Sequence, residues 1–167
     1  MTEPLKKAFT EKDIKMNEID KVFSKFKSGV YVVTTILDDV KHGWTISWCS
    51  KISFQPPLVM VSLGKNRKDH EKLMEAEVFA INVLGEKHLE VGRHFGLTNG
   101  ENVNNFDGID CIELETGSPI LKDAAGSLDC KIVKTIDAGD HVIFIGEVLD
   151  VVNRDGDGLV FKTENFP

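Results

Sequence analysis

The stretch from Gly43 to Pro57, Gly-Trp-Thr-Ile-Ser-Trp-Cys-Ser-Lys-Ile-Ser-Phe-Gln-Pro-Pro, packs small hydroxyls, a glycine and aromatic rings into one strand-length segment. That composition suits a surface that holds a flat, phosphorylated ligand. At a period of two, Thr45, Ser47 and Cys49 share one face of an extended chain, with Ile46, Trp48 and Ser50 on the other. If such a strand bends out of its ladder, the freed N–H groups and hydroxyls converge on an anion. A second cluster, Lys65-Asn66-Arg67-Lys68, follows an apolar run and opens a predicted helix. Helix starts and cationic side chains both favour phosphate. Taken singly, the plainer readings are a polar strand edge and a solvated basic turn. His141 is the third candidate, because it begins an apolar run directly after Gly139-Asp140. On its own such a histidine reads as a surface or interface residue.

Neither Gly-x-Gly-x-x-Gly nor Gly-x-x-x-x-Gly-Lys-Ser/Thr occurs, so the two common nucleotide-binding loops are not the first reading. The three cysteines, Cys49, Cys111 and Cys130, are odd in number and form no Cys-x-x-Cys, which argues against a disulfide framework or zinc ribbon. Cys49 reads as packing, and the other two as core. His88 and His94 miss the i, i+4 spacing of a shared metal face, and His42 and His70 have no partner nearby in sequence, so no metal site is expected. Asn153 to Glu164 has the twelve-position spacing of a calcium loop, but strand-like residues flank it where helices are required, and a tight hairpin turn is expected. Trp48 stays open between contact with a ligand or second subunit and simple core packing.

The elements that must position these residues come from periodicity. Thr10 with Asp13 resembles a capping box, and Ile19, Val22, Phe23 and Phe26 recur at helical spacing until Gly29, which predicts a helix with Phe23 and Phe26 in its core stripe. From Val30 the period becomes two. Strands are predicted over Val30 to Leu37, Lys41 to Ser50, Leu58 to Leu63, Val78 to Leu84, Cys111 to Leu114, Ser127 to Ile136, His141 to Val152 and Leu159 to Lys162. Asp38-Asp39 and Asp137 to Asp140 read as hairpin turns, and Pro56-Pro57 closes a short connection. Short helices are expected over Arg67 to Ala76 and Glu86 to Phe95. Gly96 to Gly108 is a long loop that either covers a site or is a surface excursion. Strands segregated from few helices make the chain mainly β, a Greek-key barrel or sandwich, in a single domain over residues 1–167.

With 167 residues and 41% apolar content the chain can bury a sizeable core. A formal charge of -7 argues against nucleic acid or an anionic membrane as the main partner. A charged start and the absence of any run of about 18 apolar residues make cytoplasmic the expected address.

Gly43-x-Thr45-x-Ser47 leading to Ser50-x-x-Ser53-Phe54-x-Pro56-Pro57-Leu58-Val59, then Phe79-Ala80-Ile81-Asn82-Val83-Leu84, and finally Gly139-Asp140-His141 before Ile143-Phe144-Ile145-Gly146-Glu147-Val148, resembles the flavin reductase-like family of FMN-binding split β-barrels. The resemblance runs from about Val30 to Val152. It implies an NAD(P)H-dependent flavin reductase, usually a homodimer, that passes hydride to FMN and electrons onward to free flavin, ferric iron or a redox-protein partner. FMN is implied over FAD, with NAD(P)H as co-substrate. It would set Thr45, Ile46, Ser47, Trp48 and Ser50 along the flavin and its phosphate, Leu63, Lys65, Asn66 and Arg67 on the far side, and His141 near the nicotinamide. Asp69 stands where many relatives have Ser or Thr, and as an anion it is left out of the site. The alternative is a flavoredoxin-like carrier that holds FMN permanently without efficient NAD(P)H turnover. A weaker third reading is a flavin- or haem-binding barrel without turnover.

Overall fold

The computed structural model describes residues 11–67, 69–97 and 106–166. Its centre is one seven-stranded antiparallel sheet made from β1 (Tyr31–Leu37), β2 (Val40–Ile46), β3 (Cys49–Phe54), β4 (Pro57–Gly64), β5 (Val78–Val83), β8 (Gly126–Ala138) and β9 (His141–Asn153). The short pair β6 (Cys111–Ile112) and β7 (Ile120–Leu121) stands apart. Strand order is β2-β1-β5-β8-β9-β4-β3. The two edge strands, β2 and β3, are consecutive in the chain and separated only by Ser47 and Trp48, so the sheet curls until its edges meet. The Ser62 amide donates to the Trp48 carbonyl at 2.9 Å and ties that corner to β4. The result is a Greek-key barrel split at β2 and β3.

Alternation in the strands builds the core. Val33, Trp44, Ile46, Val59, Val61, Leu63, Phe79, Ile81, Val142 and Phe144 fill the barrel, while Val30, Val32 and Leu84 turn outward under Phe95 of α3 (Leu89–Leu97). Tertiary position thus buries both faces of β1. Inside the sheet, Asn82 is a satisfied hub. Its amide donates to the Val32 carbonyl and Thr34 Oγ1, and its carbonyl accepts from the Leu121 amide and the Ser127 hydroxyl. Bulges near Asp129 and Ile132 let the long β8–β9 hairpin bend around the barrel.

Several sequence expectations change. Lys41 to Ser50 is two strands, because the chain leaves the ladder at Ser47 and Trp48. Leu159 to Lys162 forms no strand; it contributes one isolated bridge, Val160 to Gly29, and Gly158 just before it makes another to Gly85, so Asn153 to Glu164 leads into a strap and not a hairpin. The helix α1 spans Glu11–Phe23, and its proposed core stripe faces solvent: Phe23 is 59% and Phe26 72% exposed, and their rings touch each other. The Thr10 cap lies outside the described residues. Arg67 to Ala76 shortens to α2 (His70–Glu75), and α3 begins only after a 3-10 turn at Glu86–His88. Much of the loop from Gly96 to Gly108 also lies outside the described residues.

Candidate functional site

A cavity of about 550 Å³ opens on the outer face of the barrel at the split. Thr45, Ile46, Ser47 and Trp48 form one side, where β2 leaves the sheet. Leu63, Asn66, Arg67 and His141 come from the end of β4, the turn beyond it and the start of β9. Eight of the ten residues singled out in the sequence therefore line one space. Ser62, Gly64, Gly96, Phe161 and Phe166 line it as well, and no motif in the sequence marks them. Gly64 had no sequence signal beyond its place after an apolar run, yet the fit there is tight: a β-carbon would stand 2.6 Å from Asn66 Oδ1 and 3.5 Å from His141 Nε2.

Ser50 and Lys65 are not brought into the cavity. Ser50 is exposed and its hydroxyl donates to the Lys51 carbonyl. The Lys65 ammonium grips both oxygens of Asp137 at 2.8 and 2.9 Å and the Gly139 carbonyl at 2.7 Å, while its amide donates to the Asp140 carbonyl. It pins the tip of the β8–β9 hairpin, and that tip presents His141 opposite Gly64. Asp69 lies outside the lining, in the left-handed region ahead of α2. Lys68 lies outside the described residues.

Arg67 meets no such partner. Its Nη2 donates to the Phe95 carbonyl at 3.0 Å, and no carboxylate among the described residues pairs with it. The guanidinium is half-buried, and loss of water around it pushes its pKa below the ordinary value. A desolvated cation with spare donors is a ready anchor for an anion. Thr45 differs: its hydroxyl already donates to the Gly92 carbonyl at 2.6 Å, so toward a ligand it can only accept.

At the other wall, the rings of Trp48 and His141 lie 4.5 Å apart, and Trp48 is 54% exposed. Core packing of Trp48 is thereby ruled out. His141 Nδ1 is 2.7 Å from Asp140 Oδ1, and that hydrogen bond holds the Asp140 carboxyl below its usual pKa. Cys49, half-buried, packs against the barrel core beside the site, and burial pushes its thiol up to about 12. Among the described residues no group of three or more acidic, histidine or cysteine side chains is arranged to hold a metal. No helix among them is long and apolar enough to cross a membrane.

A half-buried cation without a carboxylate partner among the described residues, hydroxyls and aromatic walls thus meet at the split of the barrel. Residues 23–167 match the flavin reductase like domain, and the chain belongs to that family. It is 35% identical over 141 residues to SmoA, an FMN reductase (NADH) of Agrobacterium fabrum, covering 84% of this chain and 79% of that protein. It is 33% identical over 127 residues to HsaB of Mycobacterium tuberculosis, the reductase subunit of a flavin-dependent monooxygenase, covering 76% and 66%. Among solved structures, the NADH:FAD oxidoreductase SgcE6 of Streptomyces globisporus superposes with a TM-score of 0.81 at 31% identity, covering 95% and 94%.

Proposed function

We propose that the protein transfers hydride from NADH to a flavin held in the cavity at the split, and that the reduced flavin serves an acceptor such as an oxygenase component. The observation that carries this reading is Arg67, a half-buried guanidinium with no carboxylate partner among the described residues, at the edge of a ring-sized cavity. The cavity volume falls within the ~300–1,000 Å³ of small-molecule sites. Apolar surface from Ile46 and Leu63, hydroxyls from Ser47 and Ser62 and the cation supply what a phosphorylated tricyclic ring needs. FMN is the smallest flavin that meets all of these requirements. A bound flavin supplies the ring that accepts the hydride.

The chain's own work is positional. Arg67 holds the phosphate, and the amides and hydroxyl of the Ser47-Trp48 corner are free of the strand ladder to orient the ring. Trp48 and His141 form a wall against which a nicotinamide can lie, with Asp140 and Lys65 fixing the histidine from behind. Hydride transfer requires stacked rings and no general base, so His141 acts by position. The open side adjoins rows of apolar side chains, Met60 beside Ile145 and Ile143 beside Ile136, which supports a homodimer that covers the cavity. Dependence on an intracellular hydride donor supports a cytoplasmic address.

Calorimetry with FMN, followed by NADH consumption with and without added FMN, tests the reading. Binding and flavin-stimulated turnover are expected. Absence of FMN association at saturation refutes it, and tightly held flavin with negligible NADH oxidation would instead indicate a carrier. His141→Ala should raise the KM for NADH more than it raises the Kd for flavin. Sedimentation at micromolar concentration checks the dimer.

A further inference from the structure

Two phenylalanines in the cavity wall have no part in the hydride-transfer assignment. Phe161 and Phe166 pack on each other with ring centroids 5.5 Å apart and 17° between planes. The strap that carries them is fastened at both ends. The Phe161 amide donates to the Ser28 carbonyl at 2.8 Å, and Arg93 Nε donates to the Asn165 carbonyl at 2.9 Å. Phe166 rests on two glycines one turn apart on α3: a β-carbon at Gly92 would stand 3.3 Å from its ring, and one at Gly96 3.8 Å. The residue before Gly96 is Phe95, whose carbonyl accepts from Arg67. Arg67 and Phe166 therefore meet the same turn of α3.

An aromatic surface beside a phosphate anchor has a chemical meaning. A mononucleotide held on Arg67 ends at its phosphate. A dinucleotide continues through a second phosphate to an adenine, a flat ring that stacks on aromatic side chains. The receiving surface is already ordered by the strap, so little side-chain freedom is lost on binding. Resting on the flavin-site reading for the anchor, we propose that Phe161 and Phe166 seat the adenine ring of a dinucleotide whose phosphate is held by Arg67. FAD and NADH present the same adenylate group, and the experiment separates them.

Dissociation constants for FMN, FAD, ADP and NADH are measured calorimetrically on the wild type and on Phe166→Ala, Phe166→Leu and Phe166→Trp, with NADH titrated anaerobically into protein free of flavin. Loss of one base–aromatic stack should lower affinity about tenfold. If the adenine belongs to the flavin, the FAD-to-FMN affinity ratio falls by that factor in Phe166→Ala. If it belongs to the nicotinamide donor, ADP and NADH weaken while the FAD-to-FMN ratio holds. Leucine, which fills the volume without a π face, should fail to rescue, and tryptophan should restore or strengthen binding; both remain informative should the alanine variant not fold. Equal weakening of FMN and FAD with ADP and NADH unchanged, or full rescue by leucine, overturns the proposal and leaves a plain apolar wall. Failure of the wild type to bind FMN would sink the flavin reading alone. The ADP titration still decides the adenine seat, with no ADP binding counting against it.

Discussion

Replacing Arg67 by methionine separates the two jobs of its guanidinium, because methionine keeps an unbranched stem while deleting the charge and its donors. In the unliganded protein the change removes the bond from the charged Nη2 to the Phe95 carbonyl, worth about 1.5 kcal/mol. It also removes the cost of holding a cation partly out of water, the same cost that depresses the Arg67 pKa. The sign is definite. A base whose folded pKa is lowered is charged in both states at neutral pH, so the penalty is fully present there and is relieved only as pH rises through the folded pKa. The two terms oppose each other, and the net change should stay within about 1 kcal/mol, roughly 2–4 °C in Tm for a chain of this size. Binding has no such compensation. A hydrogen bond to a charged group contributes about 1.5–3 kcal/mol, so the Kd for FMN should rise roughly 10- to 150-fold. FMN at 100 times the wild-type Kd stabilises the native protein by about 2.7 kcal/mol, and the same concentration should give the variant about 1.4 kcal/mol or less. Thermal melts with and without FMN, beside a flavin titration, read both quantities. Arg67→Lys, which keeps the charge without the planar fork, should fall between. A variant that loses many degrees without ligand yet binds FMN within twofold of wild type would refute the reasoning and make Arg67 a cap on α3.

Asn82→Leu should cost about 3 kcal/mol or more, since it strips partners from the buried Leu121 amide, the Ser127 hydroxyl and the Val32 carbonyl at once. Urea melts should show the loss, and a cost below about 1 kcal/mol would mean that the site repacks freely. Cys49 and Cys130, both pushed up to about 12 by burial, should escape iodoacetamide at about pH 8 in native protein and react after unfolding, as read by mass spectrometry. Their raised values also fix a direction: below the ordinary value of 9.0 neither state ionises, and between there and about 12 only the unfolded chain loses the proton. Stability should therefore fall across that alkaline window, and a flat profile would show the thiols to be better hydrated than their packing implies.

Local chemistry made much of the fold legible. Asp38 and Asp39 both adopt positive φ, 50° and 61°, which aspartate tolerates in a tight turn, and the β1–β2 hairpin follows from them. Gly139, at φ 69°, does the same for β8 and β9. Alternating β-branched residues marked most strands within a few positions. What escaped notice depended on partners distant in sequence. Period two runs unbroken through Ser47 and Trp48, and only the meeting of two sheet edges takes them out of the ladder. The exposed face of α1 has the spacing of a core stripe, because periodicity records which side chains share a face and not what covers it. Phe166 stands alone in a polar stretch, and its role comes from glycines on α3 far earlier in the chain.

Lys65 and Arg67 show where composition stops and tertiary structure takes over. Both are cations in one turn, and charge and spacing alone make both candidates for phosphate. In the fold, Lys65 reaches the exposed Asp137 carboxylate and the hairpin tip, while Arg67 turns toward the end of α3 and, among the described residues, donates to the Phe95 carbonyl and pairs with no carboxylate. A cation neutralised by its own protein has little left for a ligand, whereas one held half-dry beside a neutral acceptor gains most when an anion arrives. Two residues apart, the pair divides into a cation that pins the hairpin tip and one that, on the proposed reading, is left to anchor a ligand. Residue type alone points both toward phosphate, and the carboxylate partner that Lys65 has, and that Arg67 lacks among the described residues, separates them.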